Sequence, residues 1–222
     1  MKNLINICKM LPVLLLVLGS CKEKSADPVN TELSINDLTN YYLVIENKAG
    51  DKRLGIISFI AEGNIVKASA HFQGALRVHE ATLENAVFRF DYNSNGASVY
   101  TFTFRKDASG NLQLQSQDLT ASGVAGQLRQ AVLVKKSDAL PIMNKTFWVE
   151  SVGFKIEMDG NQPVLQWIDG RRYASYSLEN YGFKTNQDEY MGVVVPNWNF
   201  NGKNLPGMLV EVGDQVVMGI SK

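Results

Sequence analysis

Hydrophobic and polar residues alternate along most of the chain from about residue 54 onward. The alternation is clearest between Ala86 and Ser116, where aromatic residues at every second position are separated by turn segments rich in Asn, Asp and Gly. A period of two between such turns is typical of a β-meander with one buried face. We therefore predict consecutive antiparallel strands at Ala86–Tyr92, around Tyr100–Arg105 and from Leu112 onward.

The same alternation predicts further strands on both sides of this region. Short strands with regular turns over about 180 residues are typical of an all-β sandwich or barrel. We expect an all-β, antiparallel sandwich or barrel built as two β units joined near residue 140, the first spanning 37–138 and the second 139–222. The additional strand candidates are Leu54–Ile60, Asn64–Phe72, Ala131–Val134, Thr146–Val152, Phe154–Met158, Val164–Ile168, Tyr190–Val195, Met208–Val212 and Gln215–Ile220.

Three local features refine this prediction. Ser34 followed by Asp37 predicts one short capped helix that ends at about Asn40. Pro196 and Pro206 lack a backbone N–H and are expected to confine Asn197–Leu205 to a loop. The tripeptide Leu-Glu-Asn occurs at 83–85 and again at 178–180, each time before an aromatic-rich strand. Either a duplication of one unit or chance would explain this echo.

The first 20 residues have the pattern of a secretory signal peptide. Residues 1–9 carry two lysines and no acid, and Met10–Gly19 is apolar but shorter than the roughly 20 residues that cross a bilayer. Leu18-Gly19-Ser20-Cys21 resembles the lipobox of bacterial lipoproteins. The resemblance implies cleavage before Cys21, acylation of that cysteine and, with Lys22 after it, attachment to the outer membrane. The polar residues 22–36 are expected to tether the folded part to the anchor.

Composition narrows the classes of partner and of chemistry. The 222-residue chain has 22 basic and 22 acidic residues, so no positive field is expected that would hold nucleic acid. The resemblance implies that Cys8 leaves with the signal peptide and that Cys21 carries lipid, in which case no thiol remains for a disulfide, a metal site or a nucleophile. The sequence contains no HExxH, GxSxG, Walker-type or dinucleotide-binding motif. We therefore expect no cofactor, no metal and no catalytic residue.

Two sets of residues resemble fragments of metal sites. Asp91–Gly96 begins like a calcium-binding loop, but the twelfth position, which should be an acid, is Phe102. We expect a hairpin turn there instead. His71 and His79 are the two histidines of the chain, and a zinc site would need a third ligand. We expect both to be exposed or hydrogen-bonded, with His71 on a polar face and His79 near a strand end.

Aromatic residues are concentrated between Phe147 and Phe200, which hold more than half of them and all three tryptophans. Aromatic faces beside amide and guanidinium donors suit flat, polar ligands such as sugars. The two adjacent arginines in this segment are able to stack on a ring or meet an anion. The alternative is that the rings fill the core of the second unit. The candidate ligand-binding residues are Trp198, Arg171, Arg172, Tyr173 and Tyr176.

Three functions are compatible with these features. The favoured one is a lipid-anchored, non-enzymatic envelope protein that binds a ligand, such as a glycan, or a partner through the C-terminal aromatic loops. In this it resembles the small all-β envelope lipoproteins of Bacteroidota. The alternative is a structural or assembly accessory of the outer membrane that contacts another envelope protein through an exposed strand edge or apolar surface. The least favoured is a hydrolase whose carboxylates converge in space.

Overall fold

A computed structural model describes residues 33–48, 53–73, 75–138, 146–149, 153–159, 162–178, 181–186, 190–213 and 215–221. Antiparallel strands dominate these residues and form two eight-stranded units, so the predicted all-β, two-unit fold is confirmed. Within the described ranges, no helix combines the length and the apolarity that crossing a membrane requires. The predicted acylation site Cys21, the predicted signal peptide and most of the predicted tether lie outside these ranges.

The first unit is a meander that curls almost into a barrel, because its last strand pairs with its first. A gap separates β7 from β8, although the N–H of Gln127 donates to the carbonyl of Leu119 at 2.9 Å at one end of it. The strands are β1 Tyr41–Asn47, β2 Leu54–Glu62, β3 Ile65–Phe72, β4 Ala75–Glu84, β5 Val87–Asp91, β6 Ser98–Lys106, β7 Leu112–Ala121 and β8 Leu128–Lys135.

One short helix closes an end of this first barrel. Helix α1, Ile35–Leu38, is capped as predicted: the backbone N–H of Ser34 donates to the Asp37 carboxylate at 2.8 Å. Leu38 is fully buried against the barrel interior, and Lys106 pairs with Asp37 at 3.0 Å. A 3-10 turn, Lys136–Asp138, follows β8.

The second unit is a closed eight-stranded barrel with the same meander order, in which β9 pairs with both β10 and β16. The strands are β9 Phe147–Val149, β10 Phe154–Asp159, β11 Gln162–Trp167, β12 Arg172–Leu178, β13 Gly182–Thr185, β14 Met191–Phe200, β15 Lys203–Val212 and β16 Gln215–Ser221. Eight strands leave an interior just wide enough for side chains or one small ligand. Here apolar side chains such as Phe183 and Val210 fill it.

The two barrels pack side by side through a third apolar cluster between their walls. Strand β1 is buried along its whole length, because Leu43 and Ile45 point into the first barrel while Tyr42 and Val44 face the second. A strand buried on both faces reads as a continuous apolar run rather than an alternation. This explains why the run at 41–45 carried no period-two signal.

Polar groups at the edge of the interface also join the two barrels. Oriented so that both of its polar atoms are satisfied, the Gln130 amide donates to the carbonyl of Asn199 at 3.2 Å and accepts from its N–H at 3.0 Å. The buried carboxylate of Glu211 on β15 accepts from the backbone N–H of Arg53 at 2.5 Å. Backbone groups of each barrel are thereby satisfied by side chains of the other.

The predicted loop at Asn197–Leu205 is wrong, because the segment forms a hairpin. Pro196 and Pro206 lie inside β14 and β15, at a point where the pairing shifts register between Val195 and Trp198. A bulge takes residues out of the hydrogen-bonding ladder, so two prolines that cannot donate are accommodated without ending the strands.

Strand β4 was missed because the alternation is inverted in its first half, although Ala81 and Leu83 in its second half do pack on the interior. Leu76 and Val78 lie on the outer face, 59% and 54% exposed, whereas Arg77 and His79 have the inward register. Polar residues inside and apolar residues outside reverse the pattern on which strand prediction rests. His79 is therefore not at the surface, as described below.

The leucine of the Leu-Glu-Asn echo lies at the end of the fourth strand in both barrels, β4 in the first and β12 in the second. Leu83 pairs with Phe88 and packs inside the first barrel, whereas Leu178 pairs with Gly182 and packs between the barrels. The two leucines therefore occupy opposite faces of their strands. The shared strand order agrees with a duplication, which stays a prediction, while the two leucines have no common structural role.

Candidate ligand-binding site at the mouth of the second barrel

Three aromatic side chains line one open end of the second barrel. Trp167 ends β11, Tyr173 lies near the start of β12 and Tyr190 immediately precedes β14; all three pack on the interior cluster and remain partly exposed. The Tyr190 ring meets Trp167 edge-on at 5.6 Å between centroids and Tyr173 edge-on at 5.5 Å. Edge-to-face contacts of this kind favour a fixed arrangement of rings. We refer to Trp167, Tyr173 and Tyr190 as the aromatic rim.

A tight turn places an arginine over this rim. Between β11 and β12, the N–H of Gly170 donates to the carbonyl of Trp167 at 3.0 Å, and Gly170 has φ +91°, a conformation that favours glycine. The turn brings the guanidinium carbon of Arg171 to 5.4 Å from the Trp167 ring centroid. Asp169 accepts from Nε of Arg171 at 2.8 Å, and this hydrogen bond raises the pKa of Arg171 above its ordinary value. Arg171 is therefore a fixed cation stacked on an indole face.

Arg172 and Tyr173 border a groove beside the rim. The groove has a volume of about 270 Å³ and is lined also by Ala174, Thr185 and Asn186. Arg172 is half-exposed and its guanidinium lies 3.5 Å from the carboxylate of Asp159. The groove thus offers guanidinium and amide groups beside a phenol ring, which is the mixture that recognises polar ligands with some apolar surface.

Thr185 fixes the position of Tyr190. Its backbone N–H donates to the carbonyl of Tyr190 at 3.0 Å, and its hydroxyl accepts from the N–H of Tyr190 at 3.1 Å. These two hydrogen bonds hold together the ends of the connection between β13 and β14. The side chain of Thr185 is itself buried, so the rim rests on a rigid part of the barrel.

The structure brings only part of the predicted residue set together. Arg171, Arg172 and Tyr173 lie at the same mouth. Tyr176 lies in β12 opposite Lys184, and only its backbone is described. Trp198 belongs elsewhere: it is 3% exposed and packs with Leu205 and Met218 in the cluster between the barrels.

The predicted surface exposure of Trp198 is therefore wrong. The reason is the register shift at Pro196, after which the Trp198 side chain faces the first barrel instead of solvent. The amides around it in the sequence suggested a surface loop, yet Asn199 uses its backbone to bind Gln130. A tryptophan with polar sequence neighbours is thus part of the core.

Trp167, Tyr190 and Asn186 are site residues that the sequence analysis did not select. The density of aromatic residues in this segment was the available signal, and all three fall within it. Which rings meet depends on the pairing of β11 with β12 and of β13 with β14. That pairing is not visible in the order of residues.

Of the two sequence fragments that resemble metal sites, the segment Asp91–Gly96 forms the predicted turn, whereas His79 differs from its prediction. Asp91 accepts backbone hydrogen bonds from Asn93 and Gly96, which makes the segment a hairpin turn between β5 and β6. His79, expected to be exposed or hydrogen-bonded, is 8% exposed inside the first barrel, and its Nε2 atom has no partner. Among the described residues, no three His, Cys, Asp or Glu side chains are grouped closely enough to hold a metal ion.

Comparisons with protein-family models, with curated proteins and with solved structures give no match for this chain.

Proposed function

We propose that this protein is a lipid-anchored, non-enzymatic binding protein of the bacterial outer membrane that recognises a glycan at the mouth of its second barrel. The observation that carries the proposal is the aromatic rim with Arg171 stacked on Trp167, next to the groove that Arg172 and Tyr173 border. The lipobox-like sequence ending at Cys21 supports the anchor.

The chemistry of the rim fits a sugar better than a purely apolar ligand. Sugar rings present C–H faces that pack on aromatic rings and hydroxyl groups that need donors and acceptors at the edge. Arg172 and Asn186, both exposed, supply such groups around the groove. Because Asp169 and Asp159 neutralise the two arginines in part, both neutral and acidic sugars are compatible with the site.

Titration of the detergent-solubilised full chain with defined oligosaccharides tests the site. The probes are cellohexaose, maltohexaose, chitohexaose and an oligogalacturonate. Calorimetry measures the binding of each. We expect at least one probe to bind, with Arg172→Ala and Tyr173→Ala each weakening its affinity about tenfold. The matched control is Arg89→Ala, which removes an exposed arginine from the outer wall of the first barrel and should bind as the unmodified chain does. Unchanged affinity in both Arg172→Ala and Tyr173→Ala would refute the assignment of the site.

The anchor is tested separately by metabolic labelling with palmitate. We expect the chain to incorporate label and Cys21→Ala to abolish incorporation, because two or more acyl chains are needed for stable attachment and all of them depend on this residue. Equal labelling of the two proteins would contradict the anchor and leave the binding site untouched.

The gap in the first barrel favours a second candidate, the assembly accessory. The groove between β7 and β8, about 420 Å³ in volume, runs from Leu112 to Gln117 on one side and from Ala131 to Leu133 on the other. Within it, the side chain of Gln117 accepts from the N–H of Ala131 at 2.7 Å, where a neighbouring strand would otherwise offer a carbonyl. Facing strand edges of this kind accept an added strand from another protein.

A photo-crosslinking amino acid at Gln115 in the gap separates this candidate from the first. A stable envelope protein crosslinked from Gln115, and not from the same amino acid at Arg89, would favour the accessory. Sugar binding without such a crosslink would favour the binding protein.

A further inference from the structure

The end of the first barrel opposite helix α1 carries polar side chains that the second barrel's site does not use. Arg77 and His79 enter it from β4, Tyr92 from the end of β5, and Asn47 from the end of β1. The opposite end is filled by Leu38 of α1. Polar groups are therefore collected at one end of an otherwise apolar interior.

Two of these side chains carry buried polar atoms without a hydrogen-bond partner. His79 is 8% exposed and its Nε2 is unpartnered, and so is the buried hydroxyl of Tyr92. The two rings lie next to each other, with centroids 5.1 Å apart. Leaving a buried polar group unpaired costs about 1–3 kcal/mol, and native structures pair nearly all such groups. Two such atoms on adjacent rings point to a common partner.

The neighbouring polar groups are already engaged. The Asn47 amide donates to the Tyr100 hydroxyl at 3.1 Å. The Asp91 carboxylate accepts from the backbone N–H of Asn93 at 3.1 Å and also from that of Gly96. Neither residue therefore supplies the missing partner of His79 or Tyr92.

A positively charged side chain, Arg77, lies next to the rings of His79 and Tyr92. The guanidinium carbon of Arg77, an exposed residue, lies 5.0 Å from the centroid of the Tyr92 ring. Burial, aided by Arg77 and opposed by Asp91, lowers the pKa of His79, so its ring is neutral at physiological pH and is able to hold its proton on Nε2. An incoming group thus meets three donors: the guanidinium, the phenol O–H and the imidazole N–H.

The surroundings of these donors are aromatic and tightly packed. Phe72, 2% exposed, meets Tyr92 edge-on at 5.0 Å, and the Phe90 ring stacks near His79 at 5.8 Å. A group that fits here must be small, negatively charged and able to accept several hydrogen bonds. A carboxylate has these properties, since its two oxygens accept up to about four hydrogen bonds and pair well with arginine.

We propose that the end of the first barrel opposite helix α1 binds a small carboxylate ligand, with Arg77 pairing its charge and with Tyr92 Oη and His79 Nε2 donating to its oxygens. This site is separate from the aromatic rim of the second barrel and does not depend on the proposed glycan.

Nitrogen-resolved NMR of the histidine rings tests the proposal, because the chain has two histidines and one of them is an internal control. The detergent-solubilised full chain is titrated with acetate, benzoate, decanoate or phosphate against chloride at equal ionic strength. We expect a saturable shift of the His79 Nε2 resonance with at least one carboxylate, and no shift of His71, which lies on the outer face of β3.

Two variants and one control make the test specific. Arg77→Gln and the conservative Tyr92→Phe should each weaken carboxylate binding at least fivefold, whereas Arg89→Gln should leave it unchanged. Acetate should bind at least as tightly as benzoate or decanoate, because the aromatic residues around the donors are tightly packed. A clear preference for decanoate would contradict a small ligand. Absence of any saturable shift would overturn the proposal, because the partner of His79 and Tyr92 would then be a bound water only. Binding of phosphate alone would overturn it as well.

Discussion

The phenol rings of Tyr42 and Tyr181 stack face to face between the two barrels, with centroids 3.9 Å apart and planes within 6° of parallel. Tyr42 lies in β1 of the first barrel, and Tyr181 lies just before β13 of the second. Each ring also makes a polar contact. The Tyr42 hydroxyl lies 3.5 Å from the carbonyl oxygen of Val194, and the Tyr181 hydroxyl lies 3.2 Å from the side-chain hydroxyl of Ser58. The stack joins parts of the chain that are far apart in sequence.

Removing one ring of this stack should destabilise the whole protein. Tyr181 is 5% exposed, so we expect Tyr181→Ala to lower the free energy of unfolding by about 3 kcal/mol, the usual cost of truncating a buried aromatic residue. Tyr181→Phe keeps the ring and loses the contact with Ser58, for a loss of about 1 kcal/mol. Chemical denaturation measures both. Equal stability of the Ala and Phe variants would show that the stack contributes nothing.

Trp198 should behave as a core residue and not as a recognition residue. Because its ring fills space between the barrels, we expect Trp198→Ala to cost about 3–5 kcal/mol and Trp198→Phe clearly less. The folded fraction of either variant should bind ligands at the second barrel's mouth as the unmodified chain does. Denaturation curves and titrations of the same preparations provide the check. A specific loss of binding with intact stability would place Trp198 in the site after all.

The success or failure of the sequence-based strand predictions has a physical cause. Alternation predicts a strand correctly where one face is buried and the other is wet, as in β5 and β6. It fails for β1, which is buried on both faces, and for β4, which points Arg77 and His79 inward. Both exceptions follow from tertiary contacts that a local pattern does not contain.

The candidate site was predictable to a similar extent. The aromatic density of the second unit and the Arg171-Arg172 pair pointed to the correct region. The rim itself depends on strand pairing, which places Tyr190 between Trp167 and Tyr173 although these rings are distant in sequence. The register shift that buries Trp198 was equally invisible, because prolines in a bulge and prolines in a loop look alike in sequence.

The Asp91 turn should depend on its carboxylate and not on calcium. Asp91 lies before Gly96, whose φ is +78°, and accepts several backbone N–H groups across the turn. We expect Asp91→Ala to lower the free energy of unfolding by about 1–2 kcal/mol, since those donors lose their partner. Neither calcium nor a chelator should change the melting temperature of the unmodified chain. A calcium-dependent rise in melting temperature would contradict the assignment as a simple turn.

Acid should weaken the contribution of Asp91. Burial opposes ionisation, but the backbone donors, led by Gly96, lower the pKa of Asp91 below its ordinary value. The stabilisation is therefore complete above the unfolded-state pKa of about 4 and is lost as pH falls through the lower folded-state pKa. We expect the stability difference between the unmodified chain and Asp91→Asn to shrink below about pH 4. A difference that is constant with pH would show that the charge of Asp91 does not matter.

The contribution of Glu46 to stability should depend on pH in the opposite direction from that of Asp91. It is 5% exposed at the contact between the barrels, and its carboxylate pairs with Arg129 at 2.8 Å. Burial raises the pKa of Glu46, although Arg129 and Arg53 both act to lower it. The protonated form is thus favoured by folding, so its stabilising effect is complete below the unfolded-state pKa of about 4.3. It is lost as pH rises through the higher folded-state value.

Glu46→Gln imitates the protonated acid and isolates this effect. We expect the stability of Glu46→Gln relative to the unmodified chain to increase as pH rises from about 4 to 7, since only the carboxylate then pays for desolvation. Loss of the ion pair should cost little, because Arg129 is largely exposed and water replaces its partner. Urea denaturation at several pH values measures the trend, with Asp91→Asn as the variant of opposite slope. A Glu46→Gln protein that loses stability relative to the unmodified chain as pH rises would mean that pairing with Arg129 outweighs burial.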